Sequence, residues 1–486
     1  MTKTIVKPPE KPKNNETESE VGCVWPQILA ILSACLGAFN DGVLGAWTSP
    51  FLVKLVNDKV HYDISESEAN NLTIVQPLTM VLTGYFFSKL TNRIGRKKAM
   101  LLVGIPQVLS LLICAFARSI YVFYIGRFFA GLSSAIVWSA LPPYVGEVAS
   151  PEVRGVWGNS LTSVIYAGQF FINVAGSYCD ILTASCIFTS VSVLFSVVFH
   201  FMPESPFFFI MKGDDESAKK SLRFLTRKIN VDKDFSMLKK DVDRQMSETG
   251  NWKDLVCIKS NRKALTIALF LRITQTFSGS AILTQYNQYI IKKAGGNVSP
   301  EIASIIFTGL CVIFNIFVIS FIVDRFSRKV LYSSSLLLCS MVLCTLASYL
   351  YFDEFVPNTD LDSVAWLPLT CLITFQIGWS YGLAVIPTLM MGELFSVSIK
   401  SKAMIVMMVA LGGGISFVNL LFNILNSVLG TCAPFIFFAF CCIGSAIMSL
   451  YIIPDTKGKT LEEIQMDLKA SSKDNKKHNI KLTIGK

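Results

Sequence analysis

Long apolar runs separated by short charged clusters are the feature of this sequence that most restricts its fold. Hydrophobic residues make up 52% of the 486 positions and charged residues only 16%, whereas soluble domains carry about 25% charged residues. Because every backbone polar group inside a bilayer must be hydrogen-bonded within the protein, apolar runs of about 20 residues are expected to form helices. The pattern therefore predicts an all-α membrane protein.

Twelve apolar runs occur as two sets of six on either side of a polar stretch. They lie near positions 27–50, 72–91, 99–117, 120–142, 157–180 and 182–202, and then near 263–291, 302–323, 330–352, 365–391, 403–428 and 431–453. The predicted regions are an N-terminal tail (1–26), a six-helix bundle (27–202), a linker of short solvated helices (203–262), a second six-helix bundle (263–453) and a C-terminal tail (454–486).

The charges between the runs predict the orientation of the chain. Basic residues follow the second run (Arg93, Arg96, Lys97 and Lys98) and the eighth run (Arg325, Arg328 and Lys329). Acidic residues follow the first run (Asp63, Glu66 and Glu68) and the ninth run (Asp353, Glu354, Asp360 and Asp362). Since basic loops stay cytoplasmic, we expect a multi-pass cell-membrane protein with both termini and the linker inside. Asn71 and Asn297 begin glycosylation acceptor motifs in predicted outer loops.

Thirteen cysteines and three histidines provide no pattern typical of a metal or redox site. Most of the cysteines lie in apolar runs, where a thiol behaves as a small hydrophobic group, and paired CxxC spacing is absent from the sequence. The sequence also lacks a nucleophile elbow, a phosphate-binding loop and a metal-ligand cluster. We therefore expect no enzyme, no cofactor and no metal; the expected partners are a small molecule and the lipid bilayer, with neither nucleic acid nor an obligate protein partner.

The two sets of runs repeat short signatures in the same order. The matches follow corresponding runs: residues 92–97 with 324–329, Glu147 and Arg154 with Glu393 and Lys400, and residues 203–205 with 454–456. One such match would carry little weight, but three in the same order indicate a duplicated six-helix unit. Parallel repeats of this kind are one architecture of alternating-access carriers.

These signatures resemble those of the sugar porter family of the major facilitator superfamily, over nearly the whole chain. The matching pieces are Gly84, Asn92–Lys97, Gly126, Arg127, Gly131, Pro142, Tyr144, Glu147, Pro151, Arg154, Gly155, Pro203–Pro206, Gln275, Ser278, Gly279, Asp324, Arg325, Gly382, Pro387, Glu393 and Pro454–Glu463. Residues 46–50 look most like the insect trehalose-transporter branch.

The resemblance implies the major facilitator fold, with twelve transmembrane helices in two six-helix repeats and short cytoplasmic helices between them. It also implies facilitated transport of a sugar, either trehalose or a hexose such as glucose.

Charged residues at the predicted inner ends of helices are candidates for the gates that an alternating-access carrier needs. The expected clusters are Glu147, Arg96 and Arg154, and their repeat Glu393, Arg328 and Lys400, with Glu204 and Asp324 grouped beside them. A network of such pairs can bias two states that differ by about a few kcal/mol. The alternative is that the charges only anchor helix ends and fix the topology.

Two further features concern single helices. Arg127 lies inside an apolar run, where an unpaired cation costs at least about 2.5–3.5 kcal/mol, and the resemblance implies a gating role for it in a polar network of the inner half. Gly382 and Pro387 are expected to break or kink the tenth helix. That kink is a candidate hinge of the outer gate, or else a device for packing alone.

Sugar recognition needs hydroxyl-binding groups, and the seventh run supplies a polar stripe. Gln275, Ser278, Ile282, Gln285 and Tyr289 recur at helical spacing, which predicts that they share one face of a continuous helix. A glutamine amide both donates and accepts, as a sugar hydroxyl does. The predicted substrate-binding set is Gln275, Ser278, Gln285, Tyr286, Asn287, Thr162, Gln169, Thr388 and Asn419, with Asn40, Trp379 and Ser416 as further candidates. The alternative role is interhelical hydrogen bonding.

Some positions depart from the family pattern and leave the substrate open. The altered residues are Asn92, Phe207, Thr276, Ala281, Ser327 and Thr388. The hydrogen-bond set expected for glucose is therefore incomplete, which leaves room for another sugar such as trehalose.

Coupling is open as well. Proton-coupled members carry an acid where this chain has Asn40, which favours passive transport, but the neighbouring Asp41 keeps a proton-coupled symporter as an alternative. A membrane sensor that binds sugar without transporting it is a third interpretation.

Overall fold

A computed structural model describes residues 23–150, 153, 160–247, 250–294, 298–322, 325–356, 361–395 and 397–454. Within these ranges the chain is helical and contains no strand, so the predicted all-α class is confirmed. Arg154, Asp324 and Asn297, most of both tails, and the C-terminal signature after Pro454 lie outside the described residues.

The first half and the linker contain eleven of the helices named below. They are α1 (Trp25–Ala46), α2 (Thr48–Asn57), α3 (Glu66–Ile94), α4 (Arg96–Phe116), α5 (Ile120–Val148), α6 (Ser160–Tyr178) and α7 (Ile181–His200), followed in the linker by α8 (Pro206–Met211), α9 (Asp215–Thr226), α10 (Asp232–Ser247) and α11 (Trp252–Cys257).

The second half repeats the order of long helices. Its helices are α12 (Lys259–Thr276), α13 (Ser280–Gln285), α14 (Asn287–Ala294), α15 (Pro300–Phe321), α16 (Arg328–Phe355), α17 (Leu367–Gly378), a π-helical turn (Trp379–Leu383), α18 (Ile386–Leu394), α19 (Val397–Leu429) and α20 (Cys432–Ile452). A short 3₁₀ turn, Asp362–Val364, precedes α17.

Each predicted apolar run coincides with one helix or with a series of short helices. Among the described residues, nine helical segments are long and apolar enough to cross a membrane. Large apolar side chains also point away from the protein, including Leu82 (74% exposed), Phe116 (70%) and Phe440 (69%). Soluble monomers rarely expose such extensive apolar surface, so the chain is a multi-pass membrane protein.

Helix α3 begins six residues earlier than the predicted run. Ser65 and Glu68 form a capping box, in which the Ser65 hydroxyl accepts from the Glu68 N–H and the Glu68 carboxylate accepts from the Ser65 N–H. This motif satisfies backbone donors that would otherwise be free at a helix start. Asn71 therefore lies on an exposed helical surface rather than in a loop, and the predicted loop position is wrong.

The seventh run is not one helix but three short ones. Gly279 separates α12 from α13 with φ +79, a backbone conformation that only glycine adopts without steric cost. A Cβ atom at this position would also lie 2.8 Å from the Phe438 ring. Tyr286 separates α13 from α14. The predicted continuous polar face is therefore wrong, because the chain changes direction twice along it.

The tenth run departs from α geometry at the predicted place. Its π-helical turn includes Gly382, and Pro387 is the second residue of α18. A Cβ atom on Gly382 would lie 2.5 Å from the Leu331 carbonyl oxygen and 2.2 Å from the Ser335 hydroxyl. Glycine therefore allows the irregular turn to lie directly against α16. The role of this segment as a hinge stays a prediction.

The helix packing is duplicated as well. In the first half α1 packs on α6, α3 on α5 and α4 on α7; in the second half α12 packs on α19, α15 on α17 and α16 on α20. Two equivalent pairs, α3 with α19 and α6 with α15, join the halves. The fold therefore consists of two six-helix repeats related as the sequence signatures predicted.

The linker forms short amphipathic helices beside the bundle. Ile210, Ala218, Phe235 and Val242 make a small buried cluster of their own. The Ser221 hydroxyl donates to the Glu204 carbonyl oxygen at 2.6 Å, which fastens α9 to the end of the first half.

Candidate functional site

The bundle has two ends that differ in how the halves meet. We call one the Glu66 end, after the first residue of α3, and the other the Arg96 end, after the first residue of α4. Because successive long helices run in opposite directions, the connection between α2 and α3 lies at the Glu66 end, and the connection between α3 and α4 lies at the Arg96 end.

At the Glu66 end, side chains of the two halves are hydrogen-bonded to each other. The Ser49 hydroxyl lies 2.5 Å from Oδ1 of Asn287 and 2.7 Å from Oδ1 of Asn173. Asn173 also accepts from the Ser304 hydroxyl at 2.7 Å. One hydroxyl proton cannot serve two acceptors, so the Asn287 amide must present its nitrogen to Ser49. The four buried side chains link α2, α6, α14 and α15.

A second group surrounds Tyr286 at the same end. The Tyr286 hydroxyl lies 3.1 Å from both Asn70 O and Asn423 Oδ1, either of which can accept its proton, and 2.9 Å from the Thr73 hydroxyl. The Asn419 amide donates to Thr73 O and to Gln285 Oε1, both at 3.0 Å. We call the two groups together the Tyr286 lock: Ser49, Asn70, Thr73, Asn173, Gln285, Tyr286, Asn287, Ser304, Asn419 and Asn423.

At the Arg96 end, the first half carries a compact ion pair. Arg96 donates through Nη2 and Nε to Glu147 Oε1 at 3.0 and 3.1 Å, and the Ser205 hydroxyl donates to Glu147 Oε2 at 2.5 Å. Glu204 accepts from the backbone N–H groups of Arg96 and Lys97 at 3.0 Å. Burial raises the pKa of the Glu204 carboxyl, and these backbone hydrogen bonds oppose the shift.

The second half carries the equivalent pair. Arg328 Nη2 donates to Glu393 Oε1 at 3.3 Å, and the Glu393 side chain is 23% exposed against 14% for Glu147. Lys400 lies exposed in the first turns of α19. The arginine–glutamate contact of each predicted triad is thus present, while Arg154 and Asp324 lie outside the described residues.

Arg127 is 1% exposed and belongs to a relay of side chains in the first half. Its Nη2 donates to Gln76 Oε1, the Gln76 amide donates to the Ser134 hydroxyl at 3.0 Å, and Ser134 donates to Asp41 at 2.5 Å. Its Nη1 donates to Leu44 O at 2.6 Å. The predicted place in a polar network of the inner half is wrong, since α5 starts at the Glu66 end, reaches Arg127 after about 10 Å and carries Glu147, the partner of Arg96, only at its other end.

Arg272 is a second buried arginine, 6% exposed, and the sequence analysis missed it. Its Nη1 donates to Gln275 Oε1 at 2.8 Å and its Nη2 to the Thr388 hydroxyl at 3.3 Å. Gln275 in turn donates at 2.8 Å to the carbonyl oxygen of Leu383, the last residue of the π-helical turn. A charged residue in an apolar stretch is itself a signal of function, and residues 264–273 contain this signal.

The remaining predicted residues occupy separate places. The Ser278 hydroxyl donates to Gln275 O at 2.7 Å, and Thr162 lies 3.4 Å from Asn315 Oδ1 across the α6–α15 contact. Gln169 is half-buried, and its amide has no hydrogen-bond partner within the described ranges. The structure thus divides the predicted set into a group around Arg272, namely Gln275, Ser278 and Thr388, and a group within the Tyr286 lock, namely Gln285, Tyr286, Asn287 and Asn419.

The other candidates are engaged in helix contacts. The Asn40 amide donates to Ser192 at 2.6 Å, the Trp379 indole donates to the Tyr166 hydroxyl at 3.1 Å, and the Ser416 hydroxyl donates to Gly412 O at 2.9 Å. The Trp379–Tyr166 bond joins the two halves. In the part of the chain that the structure describes, no group of three or more histidine, cysteine or acidic residues is arranged to hold a metal ion.

Comparison with known proteins identifies the type of protein that the chain resembles. The family model described as "Sugar (and other) transporter" matches residues 27–468. A facilitated trehalose transporter of Drosophila willistoni is 31% identical over 447 residues, which cover 91% of this chain and 51% of that protein. Trehalose transporter 1 of Drosophila melanogaster is 31% identical over 449 residues, with 91% and 51% covered. The chain therefore spans about half the length of these curated relatives.

A solved structure of the same fold is the inward-open xylose transporter XylE from E. coli. It aligns with a TM-score of 0.73 at 17% sequence identity, over 90% of this chain and 99% of that one. A second XylE structure, described as a major facilitator superfamily proton:xylose symporter, aligns with a TM-score of 0.71 at 19% identity, over 90% of this chain and 98% of that one. At such low identity the likeness concerns the fold, and the predicted major facilitator fold is confirmed.

Proposed function

Because the chain belongs to the sugar transporter family, we propose that it carries a sugar across a membrane by facilitated, alternating access. The observation that supports this most directly is the unequal joining of the two halves. The Tyr286 lock connects them at the Glu66 end, whereas nearer the Arg96 end the pairs Arg96–Glu147 and Arg328–Glu393 each lie within one half and the hydrogen bonding across the halves, among the described residues, is that of Ser163 and Thr162 with Asn315.

This arrangement is suited to a switch between two states. The lock consists of neutral hydrogen bonds between flexible polar side chains, each with a net value of about 0.5–1.5 kcal/mol. Several such bonds can hold one end shut, and a differential affinity of the substrate for the two states can shift the balance. In this proposal the described state is closed at the Glu66 end, and it releases the substrate at the Arg96 end.

The gating residues have defined tasks in this proposal. The pairs Arg96–Glu147 and Arg328–Glu393 hold helix ends within each half, and Glu204 fixes the start of α4 through its backbone contacts. We expect Arg154 and Lys400 to complete the gate in the opposite state, with Asp324 beside Arg328. The π-helical turn and Pro387 are the proposed hinge, because a π-bulge leaves backbone bonds that can rearrange.

We assign substrate binding to the surroundings of Gln275. Gln275, Ser278 and Thr388 lie where α12 and the tenth run are both interrupted. Thr162 contacts the second half from α6, and we include Gln169 of the same helix. Polar residues of this kind inside a membrane bundle face its interior. Trehalose and a hexose such as glucose are the candidate substrates, since the Drosophila relatives are trehalose transporters.

We propose the cell membrane as the location, with both termini and the linker inside. The Arg96 end is then cytoplasmic, because it carries the basic connections. Glycosylation at Asn71 or Asn297 belongs to the same proposal. The test is to treat the protein and its Asn71→Gln and Asn297→Gln variants with a glycosidase. We expect the treatment to lower the mass of the original protein and to have less effect on a variant that lacks a glycosylated asparagine; the same mass loss in both variants as in the original protein contradicts glycosylation at these positions.

Proton coupling through Asp41 is the second candidate. It is supported by the relay that connects Asp41 to Arg127 through Ser134 and Gln76. Uptake measured at pH 5.5 and 7.5, with and without an uncoupler, distinguishes proton-coupled from facilitated transport. Facilitated transport predicts equal accumulation ratios near one, whereas a symporter accumulates sugar at acidic pH and loses this in Asp41→Asn.

The direct test is uptake of radiolabelled trehalose and glucose in oocytes that show the protein at the surface. We expect saturable uptake and counterflow, reduced roughly tenfold in Gln275→Ala, because that change removes a buried amide with two partners. Saturable binding without counterflow would instead indicate the sensor interpretation. Ser333→Ala is the control, since Ser333 bonds Ser449 within one half at 2.7 Å.

Cross-linking tests alternating access separately. Ser49 and Asn287 lie side by side across the halves, so cysteines at both positions, bridged by oxidation or a short thiol reagent, should lock the Glu66 end. We expect uptake to stop and to return on reduction, with each single-cysteine variant unaffected by oxidation. Unchanged uptake in the cross-linked protein would contradict opening at this end.

A further inference from the structure

We propose that the transported sugar is acidic and that Arg272 pairs with its carboxylate. The inference rests on the proposed transport function and names the substrate class of the same site. A hexuronate, a sugar with a carboxylate in place of its terminal hydroxymethyl group, has the required chemistry.

Arg272 differs from the other buried arginines of the described ranges because no acidic side chain lies among its contacts or at the end of a hydrogen-bond relay from it. Within the described ranges, buried arginines occur at four positions, Arg96, Arg127, Arg272 and Arg328. Arg96 and Arg328 contact the carboxylates of Glu147 and Glu393, and Arg127 reaches Asp41 through two side chains. Among the described residues, the side chain of Arg272 donates to an amide oxygen, to a hydroxyl and to the sulfur of Met391 at 3.8 Å, and none of these groups is acidic.

The neutral polar groups around Arg272 are already used by the protein. The Ser278 hydroxyl donates to Gln275 O, and the Thr276 hydroxyl donates to Ile273 O at 2.8 Å. The Thr274 hydroxyl lies 2.5 Å from that of Tyr332. The Nε–H of Arg272, in contrast, is buried without a partner. The donor left for a ligand is therefore cationic.

The geometry of the free donor selects a carboxylate. In arginine, Nε and the adjacent Nη form one edge of a planar fork that matches the two oxygens of a carboxylate. On this edge of Arg272, Nε has no partner and Nη2 contacts the Thr388 hydroxyl and the Met391 sulfur. The thioether sulfur is a weak acceptor. A carboxylate would replace the weak contact and would balance a charge that is costly inside a membrane protein.

The position of the guanidinium suits a transported ligand. It lies between α12 and α18, next to Gln275 and beside the two interrupted helices. Its contacts Thr388 and Met391 precede Glu393, so the site is adjacent to the ion pair at the Arg96 end. A ligand held there touches both segments that depart from regular helix, which is where a change of state can be driven.

The test compares uptake of radiolabelled glucuronate, glucose and trehalose by the full chain in oocytes. We expect glucuronate uptake to exceed glucose uptake at least tenfold at equal low concentration. Unlabelled glucuronate should also inhibit residual glucose uptake, whereas lactate, which has a carboxylate but no ring, should not. Arg272→Gln should lower glucuronate uptake roughly 10- to 100-fold, the range for a hydrogen bond to a charged group.

Two variants control for charge and folding. Arg262→Gln removes the same charge from an exposed position of the same helix and should keep the preference for glucuronate. Arg272→Lys keeps the charge but not the fork, and it should retain more glucuronate uptake than Arg272→Gln. If neither Arg272 variant reaches the surface, the wild-type preference and the competition by glucuronate decide the proposal.

Each other outcome has a separate meaning. Uptake of glucose or trehalose without uptake of glucuronate overturns this inference and leaves the proposed function standing. Equal losses for neutral and acidic sugars in Arg272→Gln overturn it as well, because Arg272 would then act in the gate. Transport of lactate or chloride without any sugar, or no transport at all, overturns both proposals.

Discussion

The two halves of the bundle repeat each other in helix packing but differ in the side chains to which a buried arginine is hydrogen-bonded. In the first half, Arg127 is connected to Asp41 by a relay through Gln76 and Ser134. In the second half, Arg272 is connected to Gln275 and Thr388 and reaches no carboxylate. The first network ends at a carboxylate of the protein and the second at neutral groups, while the Nε–H of both arginines is buried without a partner.

The difference shows how a duplicated unit can acquire two tasks. Packing depends on the apolar surfaces of helices, and those are equivalent in the halves. Charge balance depends on single side chains, so it can diverge without altering the fold. A balanced buried network adds to stability only if all of its members are present, whereas an unbalanced one is suited to bind something else.

Replacing Arg127 should break the first network and have the largest effect. In Arg127→Met, Gln76 loses its positive partner and the relay that ends at Asp41 loses its cation, so we expect a loss of about 3 kcal/mol in the free energy of unfolding. Thermal and denaturant unfolding in detergent measure it, with Arg262→Met as the control. The double variant with Asp41→Asn should recover part of the loss; no recovery would mean that the relay does not couple the two charges.

The ion pairs at the Arg96 end allow a second comparison of the halves. Glu147 lies closer to its arginine than Glu393 does and is less exposed. We therefore expect Glu147→Gln to lower stability by about 2 kcal/mol and Glu393→Gln by about 1 kcal/mol or less, as for pairs closer to solvent. Unfolding at low and high salt should show the larger salt dependence for the second pair. The reverse order would contradict this reading of burial.

The two glutamines that contact the buried arginines should respond differently. Gln76→Leu removes the link between Arg127 and Ser134, and we expect a loss of about 1.5 kcal/mol in stability. Gln275→Leu should cost less stability and reduce uptake more, since Gln275 is the proposed substrate residue. Measuring the unfolding free energy and the uptake of both variants gives the ratio of uptake loss to stability loss for each half. Similar ratios in the two halves would contradict a substrate role that Gln275 has and Gln76 lacks.

Replacing Arg272 should have a small effect on stability, with the sign opposite to that of the other replacements. Arg272→Gln removes an unbalanced cation but keeps an amide that can bond Gln275, so the substrate-free protein should gain about 1 kcal/mol. The unfolding temperature in detergent, measured without sugar, reports this gain. A loss of stability as large as that of Arg127→Met would contradict the difference between the two halves, because it would show that the protein itself balances the charge of Arg272.

Much of the fold was predictable because membrane helices are specified by local composition. Each apolar run predicted a helix or a group of helices, and the repeated signatures predicted two equivalent halves. The start of α3 was misplaced although the capping box Ser65–Glu68 was present in the sequence. The breaks at Gly279 and Tyr286 were missed because one glycine inside an apolar run does not reveal whether its φ is positive.

The candidate site was less predictable, because polar residues inside a membrane serve both ligands and neighbouring helices. Gln285 was predicted to share a helical face with Gln275, with Tyr286 and Asn287 beside that face. In the structure Tyr286 and Asn287 contact the first half, and Gln285 bonds Asn419 within the same Tyr286 lock. Gln275 instead bonds an arginine three positions earlier in the same helix.

The sequence by itself determined the class of protein, the succession of helices, the duplication and the family. These properties depend on hydropathy and short motifs, and both are local along the chain. The tertiary structure decided which polar side chains meet, for instance that Arg127 is joined to Asp41 and that Arg272 has no acidic partner. Such pairings join residues that are far apart in sequence, and their distances depend on where helices break and how closely they pack.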